Sequence, residues 1–279
     1  MTGRWIPFAA AIVIIGRASL TRVQSPTPPR GETAMITIPS KIYPAGRRAW
    51  AYTPTGYPDS CHAACNLIVA FDGGMYLGAM PLPQILDSLI AANRAAPSVA
   101  ILVDNGAPPA RLADLANSPR FASFVAEELV PWVHERYAVT HAPDHTIIAG
   151  VSAGGLEATY IAFKYPTLFG NVLSQSGAFW RGNDGSNAAP FEWLTQQFAT
   201  SPKANLHLFL DVGSMETGGA LGGIAPSLLD ANRRLRDVLK TKGYSLEYFE
   251  VPGGQHSPES WRLRLPLGIV ALAPAAAPK

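Results

Sequence analysis

Short, unbroken apolar runs alternate along this chain with longer stretches whose apolar residues recur at helical spacing. Leu67-Ile68-Val69-Ala70-Phe71-Asp72 and Val99-Ala100-Ile101-Leu102-Val103-Asp104 are continuous runs, the pattern of strands buried on both faces. Ala34–Ile38 and Arg48–Thr53 read as an opening antiparallel pair, and Thr146–Ala149, Asn171–Ser174, Leu206–Val212 and Leu246–Val251 as further strands. Helical spacing marks Pro83–Asn93, Phe121–Tyr137, the stretch from Leu156 to Phe163, and Pro226–Lys242, with Gly243 at the C-terminal cap. Such alternation predicts an α/β protein with a mostly parallel, doubly wound sheet and helices on both faces. The connections are short, so no large lid domain is expected, and no internal repeat is present.

Composition changes this picture little. The chain has 279 residues, 48% hydrophobic and 15% charged, enough for one sizeable core. A net charge of +2 with scattered Lys and Arg argues against a nucleic-acid partner. No internal apolar run is long enough to span a membrane, and no membrane-spanning partner is expected. The N-terminus stands apart: Arg4 precedes an apolar run from Ile6 to Gly16, as in a secretory signal. Residues 1–23 are therefore expected to be a signal peptide or an uncleaved anchor, and the protein periplasmic or secreted. Residues 24–33, with Pro26, Pro28 and Pro29, read as a linker. Residues 34–274 read as one α/β domain and 275–279 as a tail. In an exported chain, Cys61 and Cys65 suit a small disulfide. Two free thiols are the alternative, and with His62 the pair falls one ligand short of a tetrahedral metal site.

The candidate chemistry begins at Gly150-Val151-Ser152-Ala153-Gly154, a G-x-S-x-G frame between a strand and a helix. That context is a nucleophile elbow: Ser152 would stand at the sheet edge, against a helix N-terminus that favours developing negative charge. The competing reading is a serine that only caps its helix. Partners should follow in the order acid, then histidine. His256 lies in the glycine-rich loop after the last strand and is the candidate base. Glu216, in the loop after Leu206–Val212, is the preferred acid, with Asp211 at the strand end as its competitor. An oxyanion hole would draw on the N–H of Ala153 and that of Gly74, with Gly73 as the neighbouring alternative. This chemistry needs no metal or organic cofactor.

Beyond the elbow, the matching stretches are Phe71-Asp72-Gly73-Gly74, Arg111-Leu112-Ala113-Asp114-Leu115, Glu128-Leu129-Val130-Pro131 and Tyr165-Pro166-Thr167-Leu168-Phe169-Gly170. They continue through Leu173-Ser174-Gln175-Ser176-Gly177-Ala178-Phe179-Trp180, Gly213-Ser214-Met215-Glu216 and Gly253-Gly254-Gln255-His256, then Trp261-Arg262. With these the chain resembles the esterase family of α/β-hydrolases that includes enterochelin (enterobactin) esterases, feruloyl esterases and the antigen 85 mycolyltransferases. It is most similar to the enterochelin esterase branch, from about Arg47 onward. The resemblance implies an α/β-hydrolase fold and ester hydrolysis through an acyl-enzyme on Ser152. The substrate would be a small-molecule ester, a siderophore of the enterobactin kind or a feruloyl, acetyl or short-chain ester. A silent binding module of the same fold is the third reading. Arg111, Trp180 and Arg262 would lie near the substrate, where cationic and aromatic groups suit catecholate rings. Arg111 paired with Asp114 and Trp180 as a core aromatic are the structural alternatives. The chain departs from the family at Arg181, where a second tryptophan is common, and at Gln255, which lengthens a Gly-Gly-His loop.

Overall fold

The apolar runs become strands of one sheet in the computed structural model, which describes residues 30–61, 64–183 and 187–275. The expected signal or anchor, most of the linker, His62 and nearly all of the tail lie outside the described residues. Strands β1 (Glu32–Ile38), β2 (Arg47–Thr53) and β3 (Asn66–Phe71) come first. Helices α1 (Gly73–Leu77) and α2 (Leu82–Ala91) lead to β4 (Ser98–Val103). Three helices, α3 (Ala110–Asp114), α4 (Pro119–Ser123) and α5 (Val130–Arg136), precede β5 (Thr146–Val151). The order continues with α6 (Ala153–Lys164), β6 (Asn171–Gln175), α7 (Trp193–Thr200) and β7 (His207–Gly213). It closes with α8 (Leu228–Thr241), β8 (Ser245–Val251) and α9 (Pro258–Leu272).

The sheet order is β1-β2-β4-β3-β5-β6-β7-β8. Pairings β1–β2 and β2–β4 are antiparallel and all others parallel. Strands β3, β4 and β5 are buried along their whole length, because helices cover both faces. On one face Phe121, Phe124, Leu156, Ile161, Phe198 and Leu235 form the core. On the other, Tyr76, Leu86, Leu89, Trp261, Leu265 and Ile269 do so. The doubly wound sheet expected from the pattern is what forms.

Several elements differ from expectation, and α3 and α7 are helices that the pattern did not announce. Phe121–Tyr137 is not one regular helix, because a π-helical turn, Phe124–Leu129, joins α4 to α5. Pro131 follows it and has no N–H to give to the preceding turn. Gly73 and Gly74, the oxyanion candidates, open helix α1 directly after β3, with Asp72 as its N-cap. Helix α9 was unexpected altogether. Its apolar residues Trp261, Leu263, Leu265, Leu267 and Ile269 alternate like those of a strand, and Pro266 interrupts it. Its buried positions are instead Trp261, Arg264, Leu265, Gly268, Ile269 and Leu272, a helical stripe that includes an arginine and a glycine.

A disulfide joins Cys61 to Cys65 just before β3. No described helix is long and apolar enough to cross a membrane.

Candidate active site

Parallel register sends the C-terminal ends of β3, β5, β6, β7 and β8 to one edge of the sheet, where ligands of such sheets collect. Ser152 stands there between β5 and α6, with φ 56° and ψ −120°. This left-handed conformation costs a non-glycine residue energy and turns the side chain out of the sheet. A Cβ on Gly150 would strike Gly154 and lie 2.8 Å from the Gly155 nitrogen, so the tight crossing of β5 and α6 requires glycine. The turn is pinned from β6: Ser152 N–H donates to the Gln175 carbonyl at 2.9 Å, and Ala178 N–H to the Ser152 carbonyl at 3.0 Å.

The loops after β7 and β8 are laced together. Ser214 N–H donates to the Val251 carbonyl at 2.9 Å, Met215 N–H to the Gly254 carbonyl at 3.0 Å, and Gly253 N–H to Ser214 Oγ at 2.9 Å. This lacing brings Glu216 behind His256, which sits just ahead of the α9 N-cap Ser257. His256 Nε2 lies 3.0 Å from Ser152 Oγ and Nδ1 lies 2.7 Å from Glu216 Oε2. The Glu216 carboxylate is 1% exposed while the imidazole is 38% exposed, so the line runs from a dry interior to the surface. Burial alone would raise the Glu216 carboxyl. Hydrogen bonds from His256, Ser176 and the Gly213 N–H outweigh it and hold the group below the usual carboxylate range.

Asp211, the competing acid, is elsewhere engaged. Its carboxylate takes Arg264 Nη2 at 2.7 Å and Nε at 3.0 Å on one oxygen, and Gln175 Nε2 at 2.9 Å on the other. It anchors α9 and does not touch His256. Two residues of the site escaped the sequence reading. Ser176, at φ 48°, donates to Glu216 Oε1 at 2.6 Å and accepts the Trp261 indole N–H at 2.8 Å. The Trp261 ring packs edge-on against His256 at 4.8 Å. The available signal was only the glycine after Ser176: Ser176-Gly177 follows a strand end, as glycines do in the loops already chosen.

The remaining candidates fall as follows. Ala153 opens α6, so its N–H belongs to an unpaired helix N-terminus. Gly74 is in the exposed first turn of α1, with open space where a Cβ would be, whereas Gly73 presses on the backbone of β4. Arg111 does not pair with Asp114; it clamps Asp72 with two bonds of 2.6 Å. Asp72 in turn packs against the elbow, its Oδ2 3.3 Å from where a Gly154 Cβ would sit. Asp114 is taken by Arg47 at 2.6 Å. Trp180 is buried, and Arg181 lies over its ring at 4.8 Å. Burial, then the nearby Arg111 charge, lowers the Arg181 guanidinium. Arg262 stands on the exposed side of α9, where Trp261 and Arg264 are the residues that reach inward. A cavity of about 540 Å³ opens at the opposite edge, between Asn66, His145, Asn171 and His207. It lies at the N-terminal ends of the strands, away from this constellation.

The family model described as "Putative esterase" matches residues 40–271. Iron(III) enterobactin esterase from an Escherichia coli strain is 31% identical over 251 residues, 89% of this chain and 58% of the relative. The iron(III) enterobactin esterase of Dickeya dadantii is 35% identical over 194 residues, 69% of this chain and 41% of the relative. The chain thus spans about three fifths or less of the length of these curated relatives. Among solved structures, the Shigella flexneri enterobactin esterase in the presence of enterobactin superposes with TM-score 0.74 at 27% identity. That match covers 86% of this chain and 59% of the other. A ferulic acid esterase from Anaeromyces mucronatus superposes with TM-score 0.68 at 20% identity, covering 89% and 93%. The sheet is that of the α/β-hydrolase fold.

Proposed function

Because the chain belongs to the esterase family, we propose that it hydrolyses carboxylic esters through an acyl-enzyme on Ser152. The observation that carries this reading is the unbroken line Ser152–His256–Glu216, with one bond of 3.0 Å and one of 2.7 Å. Ser152 Oγ attacks the ester carbonyl while His256 Nε2 takes its proton. Glu216 accepts the Nδ1–H and stabilises the imidazolium that forms. The Ala153 and Gly74 N–H groups face the oxyanion. His256 then protonates the leaving alcohol, and water repeats the sequence to free the acid.

The favoured substrate is a siderophore triester of the enterobactin kind. Support comes from the named relatives and from the Arg111–Arg181 pair of cations beside the elbow, with Trp180 adjacent, a setting suited to anionic aromatic rings. Arg262 would act only at the rim. The second reading, a feruloyl, acetyl or short-chain ester, is favoured by the exposed apolar side chains of Leu112 on α3 and Met215 in the loop after β7. An exported protein fits the N-terminal apolar run and the Cys61–Cys65 disulfide.

A fluorophosphonate probe should label the protein once, and Ser152→Ala should abolish labelling and lower kcat by about 10⁴-fold or more. Labelling that survives in Ser152→Ala would refute the nucleophile. Enterobactin, feruloyl esters and p-nitrophenyl acetate, assayed side by side, separate the two substrate readings. Rapid cleavage of the small esters with enterobactin untouched rejects the siderophore.

A further inference from the structure

One buried carboxyl on the elbow helix has no part in the chemistry above. Glu157 lies on α6, little more than a turn beyond Ser152, and its side chain has no solvent exposure. Its Oε2 accepts the Ser118 N–H at 2.9 Å, and the Asn117 N–H also faces it. Asn117 sits at φ 56°, and its side-chain amide donates to the Gly182 carbonyl at 3.3 Å. The elbow helix and the link between α3 and α4 therefore meet at this carboxyl, and Asn117 ties in the loop carrying Trp180 and Arg181. That loop is the one whose Ala178 N–H holds the Ser152 carbonyl.

Two oxygens in this junction are enclosed without a hydrogen-bond partner, Glu157 Oε1 and Asn117 Oδ1. An ionised carboxyl only accepts hydrogen bonds, so its enclosed Oε1 would hold charge with no donor to meet it. Protonation removes that charge. The charged and titratable groups around it agree. Asp114 of α3 faces Glu157 with like charge, and Tyr160 neighbours it on α6. No cation among the described residues pairs with it, and Arg47 is engaged by Asp114. Burial is the main reason its carboxyl is pushed well above the usual range.

We propose that Glu157 is a positioning residue held as the neutral acid, fixing the Trp180–Gly182 wall of the substrate site to the elbow helix through Asn117 and Ser118. The positioning rests on the esterase reading; the protonation state does not.

The test compares Glu157→Gln, Glu157→Ala and Asn117→Ala, each checked for folding by circular dichroism. Glu157→Gln, an amide of the same shape that stays neutral, should keep KM within about twofold of wild type at neutral pH. Glu157→Ala and Asn117→Ala should each raise KM about tenfold with a much smaller change in kcat. The thermal midpoint between about pH 5 and 9 reads protonation without any substrate. The folded state binds the Glu157 proton more tightly than the unfolded chain does. Wild type should therefore lose stability as pH rises from 4.5 toward the raised value, and Glu157→Gln should lack that fall. Glu157→Gln impaired as severely as Glu157→Ala would overturn the neutral acid, and so would a midpoint profile unchanged in Glu157→Gln. Unchanged KM in Asn117→Ala, the variant to rely on should Glu157→Ala fail to fold, would overturn the positioning.

Discussion

Ser176 stands to Glu216 as Glu216 stands to His256. Its hydroxyl donates to the carboxylate at 2.6 Å while receiving the Trp261 N–H at 2.8 Å, so the donor direction at both atoms is set by their neighbours. Ser176→Ala removes one bond to Glu216 and leaves the indole N–H without its acceptor. We expect kcat to fall about tenfold with KM little changed, since the nucleophile and substrate walls are untouched. The pH dependence has a defined sign. Glu216 is depressed in the fold, so its stabilisation is complete above the ordinary value of 4.5 and is lost as pH falls through the depressed value. With one hydrogen bond gone, the depressed value moves upward toward 4.5, so in Ser176→Ala the acid loss of stability should still begin near 4.5 but be smaller and be complete at a higher pH. An acid limb that coincides with wild type in a melting series would refute this. The Ser152–His256–Glu216 line was expected from the sequence because the elbow is a local pattern and the chain order of its partners is fixed by the order of the strands. Ser176, Trp261 and Glu157 were not, because their roles arise from contacts across 39 to 85 residues that no local pattern encodes.

Helix α9 shows the same limit for an element. Its strand-like alternation and internal Pro266 hid a helix whose inward stripe includes Arg264. Read as a sequence, Asp211 competed for the role of triad acid; the structure makes it the anchor of α9 instead. Arg264 is 7% exposed and Asp211 1%, so this is a buried ion pair, and Gln175 joins it to the Trp261 carbonyl at 3.1 Å. Burial raises Asp211, and Arg264 opposes that shift. Removing one member strands the other charge in the interior. Arg264→Met should therefore cost about 3 to 5 kcal/mol in a urea unfolding series. The double variant Arg264→Met with Asp211→Leu should recover most of the loss, because no charge is then left unpaired. Activity should fall with the single variant, since α9 also carries Trp261 against His256. A single variant as stable as wild type would show that α9 is held by its apolar stripe alone. The central strands posed no such difficulty. Strands β3, β4 and β5 are buried on both faces, so their apolar runs are unbroken and announce themselves.

Across the whole molecule the sheet separates the proposed chemistry from restraint. Ser152, Glu216 and His256 all follow C-terminal strand ends, while the Cys61–Cys65 disulfide precedes the N-terminal end of β3. Since β3 and β5 run parallel in register, the length of a six-residue strand, about 20 Å, lies between the two. The disulfide closes a very short loop, so the unfolded chain loses little freedom by it. On the loop-entropy relation the stabilisation is about 2 kcal/mol. Reduction should accordingly lower the thermal midpoint by a few degrees, about 2 to 4 °C for a protein of this size for each kcal/mol lost. It should leave kcat/KM unchanged at temperatures where the protein stays folded. Cys61→Ser with Cys65→Ser should reproduce both results without reductant. A loss of kcat/KM at unchanged stability would mean that the two edges of the sheet communicate. Contacts at the junction between β3 and the segment before β5 would be the place to look, because Cys65 shares backbone hydrogen bonds with Ala138 and Thr140 there.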